Sequence, residues 1–272
     1  MAEEYLLGHS ARETQRLVEQ AELLAPITRR ILLAAGIKPG MRVLDVGTGM
    51  GDVALLAAEL VGTEGSVVGV DASPVVIRAA TQRWASARKN VRFIASDAVD
   101  LPADQPFDAI VGRYVLMFLR EPVAMLSALR AKLSTGGCIA FHELDWAGAR
   151  SIPVAPTYDR CCRWAIDALR LGGADPYMGS RLYGAIVRAG YEPPHMHLEA
   201  IIGGADDPSG AVNVLFRTMF PEAFGATLER HGAATGAIID SETLPQRMSA
   251  EIASLESVIV GRSEIGLWAR RT

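Results

Sequence analysis

Apolar residues at three- and four-residue steps dominate residues 11 to 35, where Leu17, Ala21, Leu24, Ile27, Ile31 and the pair Ala34 and Ala35 share one side of a 3.6-residue helix. Pro26 is expected to break that helix, and the segment from Gly36 to Gly40 to close it. Short apolar runs then alternate with helical patterns. Strands are predicted over 41–46, 66–70, 91–95, 107–111 and 138–141, and helices over 53–61, 74–89 and 122–133. Five short strands joined by helical or long crossovers imply a parallel, doubly wound sheet, because parallel neighbours need such crossovers. Ser73 and Pro74 make a helix start, since serine caps free amides and proline is tolerated in the first turn.

Beyond Trp146 the alternation fails. Pro153 and Pro156 precede a helical stretch to Leu171, Gly172 and Gly173 break it, a second helix is predicted over 181–189, and 195–202 reads as extended. Residues 209–256 are helical in pattern, interrupted by Pro221 and Gly232, and 265–270 reads as a last strand. There is no internal repeat and no low-complexity tract.

Composition narrows the class. With 272 residues, 50% hydrophobic and 21% charged, the chain can bury a core as one large domain or one plus an appendage. No apolar run approaches the roughly 18 residues of a membrane span, and Met1-Ala2-Glu3-Glu4 carries acids where a signal peptide carries lysine or arginine. The three cysteines, Cys138 and the adjacent Cys161 and Cys162, form neither an even disulfide framework nor a Cys-x-x-Cys pair. A cytoplasmic setting is expected. Net charge is −4 and no basic block would neutralise a phosphate backbone, so neither nucleic acid nor membrane is an expected partner.

The chemistry concentrates in Val43-Leu44-Asp45-Val46-Gly47-Thr48-Gly49-Met50-Gly51-Asp52, a strand that ends in a glycine-rich turn opening a helix. Such a turn admits a ligand close to the backbone, at the carboxyl end of the strand where open parallel sheets bind. A dinucleotide fingerprint needs Gly-x-Gly-x-x-Gly with pyrophosphate on the helix N-terminus, but here the third fingerprint position is Asp52. Asp45 and Asp52 would repel pyrophosphate and suit a ligand bearing an ammonium and a sulfonium. S-adenosylmethionine has both groups and no phosphate.

The segment resembles motif I of the class I S-adenosylmethionine-dependent methyltransferases, and further landmarks follow in the family's order. Val67-Val68-Gly69-Val70-Asp71 resembles the second motif, whose terminal acid takes both ribose hydroxyls. Phe93-Ile94-Ala95-Ser96-Asp97-Ala98 resembles the adenine segment, Phe107–Tyr114 the fourth motif, and Leu133–Gly137 the turn before the fifth strand. The family's short helices after the fourth strand, 115–118 here, line the cofactor. The resemblance covers about residues 37 to 145. It implies a Rossmann-like, doubly wound, seven-stranded sheet, with an N-terminal helical lid over 1–36, a cofactor-binding core over 37–148, and helical cap insertions plus closing strands over 149–272. Cap segments are expected over 149–190 and 205–256. The cofactor contacts it implies are Asp45, Gly47, Thr48, Gly49, Asp52, Asp71, Ala72, Ser73, Ser96, Asp97, Ala98, Arg113 and, from the lid, Gln20.

Within the family the residues after the fourth strand, Val111-Gly112-Arg113-Tyr114, exclude several branches. They are not the Asn/Asp-Pro-Pro-Tyr motif of amino-methyltransferases, not a Pro-Cys nucleophile, and not the aspartate of magnesium-dependent enzymes. No metal is expected, and His195 and His197 are read as exposed strand histidines, since no third ligand accompanies them.

Methyl transfer is an in-line displacement, so the enzyme positions the acceptor and, where needed, takes its proton. Candidates for that base leave the fifth strand, His142, Glu143 and Asp145, although strand alternation forbids His142 and Glu143 from facing the same side. By analogy with lids that close such sites, Tyr5 and His9 are further candidates to touch cofactor or substrate. Trp146, Tyr158, Trp164, Tyr177, Met178, Phe216, Met219 and Phe220 pack a core or wall a cleft; in the second case the substrate is a flat or apolar small molecule. A helical N-terminus and an apolar cap can also pair across a two-fold axis as a homodimer. The rival readings are an NAD(P)-dependent oxidoreductase and a cofactor-binding protein of this fold that no longer methylates.

Overall fold

The structure, a computed structural model, describes residues 11–85, 90–102, 105–205, 227–232 and 243–272, with side chains from Val18 onward. The first helix, α1 (Ala11–Ala34), runs through Pro26 without the expected break. An interior proline costs about 3 kcal/mol, but Leu24, Ile27 and Ile31 are buried on the same helix and each contributes roughly 1.5–3 kcal/mol.

The alternating pattern becomes β1 (Arg42–Val46), α2 (Asp52–Val61), β2 (Ser66–Asp71), α3 (Pro74–Trp84), β3 (Val91–Ala95), β4 (Phe107–Arg113), a 3-10 turn (Leu116–Phe118), α4 (Pro122–Lys132) and β5 (Leu133–Asp145). Strand order is β3-β2-β1-β4-β5-β8, where β8 is Val258–Arg270 and β7 (His195–Gly203) also pairs with β8. The pairs β1/β2, β2/β3, β1/β4 and β4/β5 are all parallel. Strand order therefore reverses between β1 and β4, and the crevice of such a sheet opens beyond the carboxyl ends of those two strands. Val43, Val67, Ala109, Val111, Cys138 and Ala140 share one core cluster with Val53, Ala54, Ala57, Ala58 and Val61 of α2. The near-continuous apolar strands thus follow from burial on both faces.

β5 is longer than expected, because Leu133–Gly137 is absorbed as an irregularity rather than preceding the strand: Phe107 pairs with Leu133, and Ala109 already pairs with Cys138. β8 likewise starts seven residues before the expected 265, with Ser263 and Glu264 buried inside it. Among the described residues there is, beside the seven expected strands, a short eighth, β6 (Arg150–Ile152), pairing antiparallel with Val258–Val260. Three residues are too few for a periodic signal.

Two compact units are resolved. One holds Leu24–Glu143, Met178–Leu198 and Glu264–Thr272, and contains the parallel sheet. It includes α6 (Met178–Arg188), which had been expected in the cap; α6 buries Met178, Leu182, Ala185 and Ile186, lies against α4, and is followed by Tyr191, whose hydroxyl donates to Leu126 O at 3.0 Å. The other unit holds residues 1–23, Leu144–Tyr177 and Glu199–Ser263. Its described part contains α5 (Pro156–Leu171), α7 (Leu244–Ser254) and the β6/β8 pair. There Glu251 accepts from the Thr157 amide at the start of α5, and Trp146, Tyr158 and Trp164 are buried. No helix among the described residues is long and apolar enough to cross a membrane.

Candidate functional site

The glycine-rich turn is built by backbone that only glycine adopts easily. Gly47 and Gly49 have φ of 61° and 53°, and a Cβ on Gly47 would stand 2.6 Å from Val115 Cγ2. Among the described residues a Cβ on Gly49 would meet nothing nearer than Gly47 O at 4.0 Å, so the turn is open at Gly49. Below it, Asp45 is 1% exposed; its Oδ2 accepts from Thr48 Oγ1 at 2.6 Å, and its Oδ1 has no hydrogen-bond partner among the described residues. Burial pushes the Asp45 carboxyl up to about 7, against the pull of Thr48, Arg113 and the Ala54 amide.

Asp71 ends β2 and ties the next two turns together. Its Oδ2 accepts from the Gly49 amide at 3.2 Å and its Oδ1 from the Ser73 amide at 2.9 Å. Ser73 caps α3, accepting at Oγ from Val76 at 3.4 Å, while Ala72 is exposed between them. The Ser96 amide donates to Asp71 O at 3.0 Å, which brings the turn after β3 alongside. In that turn Asp97 is exposed and its Oδ1 accepts from Val99 N at 2.8 Å, whereas Ala98 is buried. Asp52 behaves differently from the expectation that it would meet a cationic ligand. It pairs with Arg83 of α3 at 3.0 Å, so its charge is compensated within the protein.

At the ends of β4 and β5 the arrangement is closed. Thr28 Oγ1 donates to Leu24 O at 3.0 Å, so its oxygen serves as acceptor to Arg113 Nη1 at 3.1 Å and to His142 Nδ1 at 3.0 Å. His142 Nδ1 therefore carries a hydrogen, and a second proton lies between His142 Nε2 and Glu264 Oε2, 3.0 Å apart. Tyr114, whose φ is 55°, donates its hydroxyl to the same Glu264 oxygen at 2.5 Å. His142 is 1% exposed and Glu264 3%. Both ring nitrogens are engaged, and His142 links α1, β4 and β8.

Glu143 points to the other side of β5, as alternation requires. Its Oε1 accepts from the amides of Val115 and Leu116 at 2.9 and 2.8 Å, capping the 3-10 turn. Oε2 has no partner among the described residues, and burial pushes this carboxyl up to about 8. Asp145 is buried in the other unit, where its Oδ1 accepts from the Ala147 amide at 2.8 Å. Gln20 lies half-buried on α1, and His195 stacks on Trp268 at 5.8 Å. Tyr5, His9, Phe216, Met219 and Phe220 lie outside the described residues.

Thr28, Tyr114 and Glu264 were not singled out from sequence. Tyr114 and Glu264 are 150 positions apart, and their only signal was an acid at the head of an apolar run, Glu264-Ile265-Gly266-Leu267.

A family model for the methyltransferase domain matches residues 37–165. Over those residues, just under half of the chain, the sequence is similar to methyltransferase domains. The chain is 36% identical over 124 residues to an aklanonic acid methyltransferase of Streptomyces sp. (strain C5), a match covering 44% of this chain and 56% of that protein. The chain spans about half the length of the curated relatives it matches. Among solved structures, a candidate methyltransferase of Bacillus halodurans superposes with a TM-score of 0.59 at 16% identity, covering 90% of this chain and 98% of that one. The [4+2]-cyclase SpnF superposes at 0.53 with 20% identity, covering 91% and 81%. These two likenesses show the fold.

Proposed function

We propose that the chain transfers a methyl group from S-adenosylmethionine to a small, apolar or aromatic metabolite, the acceptor atom being oxygen, nitrogen or carbon. The observation that carries this reading is the Asp71 carboxylate. Each of its oxygens accepts one backbone amide and keeps a lone pair for a ligand hydroxyl, beside a glycine turn that is open at Gly49. The orphaned Oδ1 of buried Asp45 fits a cationic ligand and would oppose a pyrophosphate. Gly47, Thr48 and Gly49 would hold the amino-acid end of the cofactor, Asp71, Ala72 and Ser73 its ribose, and Ser96, Asp97 and Ala98 its adenine. Arg113, already bonded to Thr28, would meet its carboxylate. The cofactor supplies a methyl on a sulfonium, so this chain has only to orient an acceptor and exclude water.

The small-molecule substrate is supported by the Streptomyces relative, named for methylation of aklanonic acid. The absence of a nucleic-acid partner is supported by the net charge of −4, and a cytoplasmic setting by the three free cysteines. A homodimer belongs to the same reading and is checked by sedimentation. Transfer of radiolabelled methyl to a panel of aromatic polyketides and quinols is the test. Label in those acceptors supports the reading, and label only in polar metabolites or macromolecules overturns the substrate class. A second reading, cofactor binding without methylation, is favoured by the closed geometry of His142; binding with no transfer to any acceptor would select it.

A further inference from the structure

Asp45 joins three properties at the ligand end of the sheet. It is buried, one of its oxygens is held by Thr48 at 2.6 Å, and the other has no partner among the described residues. A buried charge without compensation is expensive, so the group prefers to stay protonated until a cation arrives. The charged groups acting on it are Arg113 at the end of β4, which favours its ionised form, and Asp52 at the start of α2, which opposes it. Asp52 is itself paired with Arg83, and Arg113 donates to Thr28.

The geometry points to a proton-coupled cofactor site: when a cationic ligand binds against the Gly47–Gly49 turn, the Asp45 carboxyl loses its proton to the solvent and the ligand's positive charge takes its place. This rests on the reading of the turn as the site of S-adenosylmethionine. The O–H bond of Asp45 breaks, the proton leaves to buffer, and no other bond changes. Burial holds the group near 7 in the free protein, so the site binds as an acid below that pH and as an anion above it. With one such group, affinity rises about tenfold from pH 6 to pH 8, if the bound form stays ionised across that range.

The test is calorimetry of S-adenosylmethionine binding at pH 6 in two buffers of different ionisation enthalpy, on wild type and Asp45→Asn. The expected result is close to one proton released per ligand by wild type, and none by an Asp45→Asn protein that still binds. Infrared difference spectra of wild type alone add a readout independent of the variant: the carbonyl stretch of a protonated carboxylic acid disappears on adding the ligand. Binding with equal heats in both buffers, an unchanged infrared band, or undiminished release by Asp45→Asn overturns the coupling while leaving the cofactor site intact. A wild type that does not bind S-adenosylmethionine overturns the cofactor reading and the coupling with it.

Discussion

Two regions at the carboxyl ends of the strands use polar side chains in opposite ways. Around β1 and β2, Asp45 keeps an oxygen unpartnered among the described residues and Asp71 keeps unspent lone pairs beside a glycine turn open at Gly49. Around β4, β5 and β8, the Thr28, His142, Glu264 and Tyr114 side chains satisfy one another within 2.5–3.1 Å, with Arg113 attached. The lesson is physical: hydrogen-bonding capacity held in reserve marks a place for a ligand, while capacity spent internally marks a place that holds elements together.

That contrast is broken most forcefully by removing Glu264. Glu264→Ala leaves His142 and the Tyr114 hydroxyl buried without their shared acceptor, and about 3–5 kcal/mol of stability is expected to go, as for other broken buried pairs. Denaturant unfolding measures the loss; S-adenosylmethionine affinity, read where the variant is still folded, should stay within about twofold. An equal fall in affinity would mean the closed region is part of the ligand site.

Asp71→Ala should act on the ligand as well as on the fold. Hydrogen bonds to a charged group contribute roughly 1.5–3 kcal/mol each, so losing two to the ligand weakens the cofactor by about a hundredfold or more, while the Gly49 and Ser73 amides lose their acceptor and the melting temperature falls too, so affinity is read where the variant is folded. Gly47→Ala sharpens the point, since it strains a φ of 61° and drives a methyl into Val115. It should weaken binding at least tenfold and lower stability by about 1–2 kcal/mol or more, which calorimetry and thermal melts separate.

The smallest effect is a change in pH dependence. Asp45 titrates near 3.8 unfolded and about 7 folded, and Glu143 moves from 4.5 to about 8, so the folded chain retains protons that the unfolded chain releases. The stability they contribute is present in full below pH 4 and declines as pH rises through 4 to 8. Asp45→Asn should remove the part of that decline due to Asp45, seen as a smaller fall in melting temperature from pH 5 to pH 8 than in wild type.

Much of the core was legible because strands buried on both faces are nearly pure apolar runs, as in 66–70 and 107–111, and because glycines punctuate the turns. The glycine turn, Asp71 and the Ser96–Ala98 segment follow from order along the chain. What local rules leave out is tertiary contact. Pro26 does not break α1 because a buried face outweighs one lost amide. Arg83, the partner of Asp52, stands 31 positions later and could not be placed beside it without the α3 packing. Nothing local tells that Thr28 and Glu264 enclose His142.

The central claim is that the β1 turn with Asp71 holds S-adenosylmethionine. Its most direct test is calorimetric titration at pH 8 of wild type and Asp71→Ala with S-adenosylmethionine and, separately, NADH. The account predicts micromolar binding of S-adenosylmethionine to wild type, lost in Asp71→Ala, with no heat from NADH. Binding of NADH in its place would contradict it.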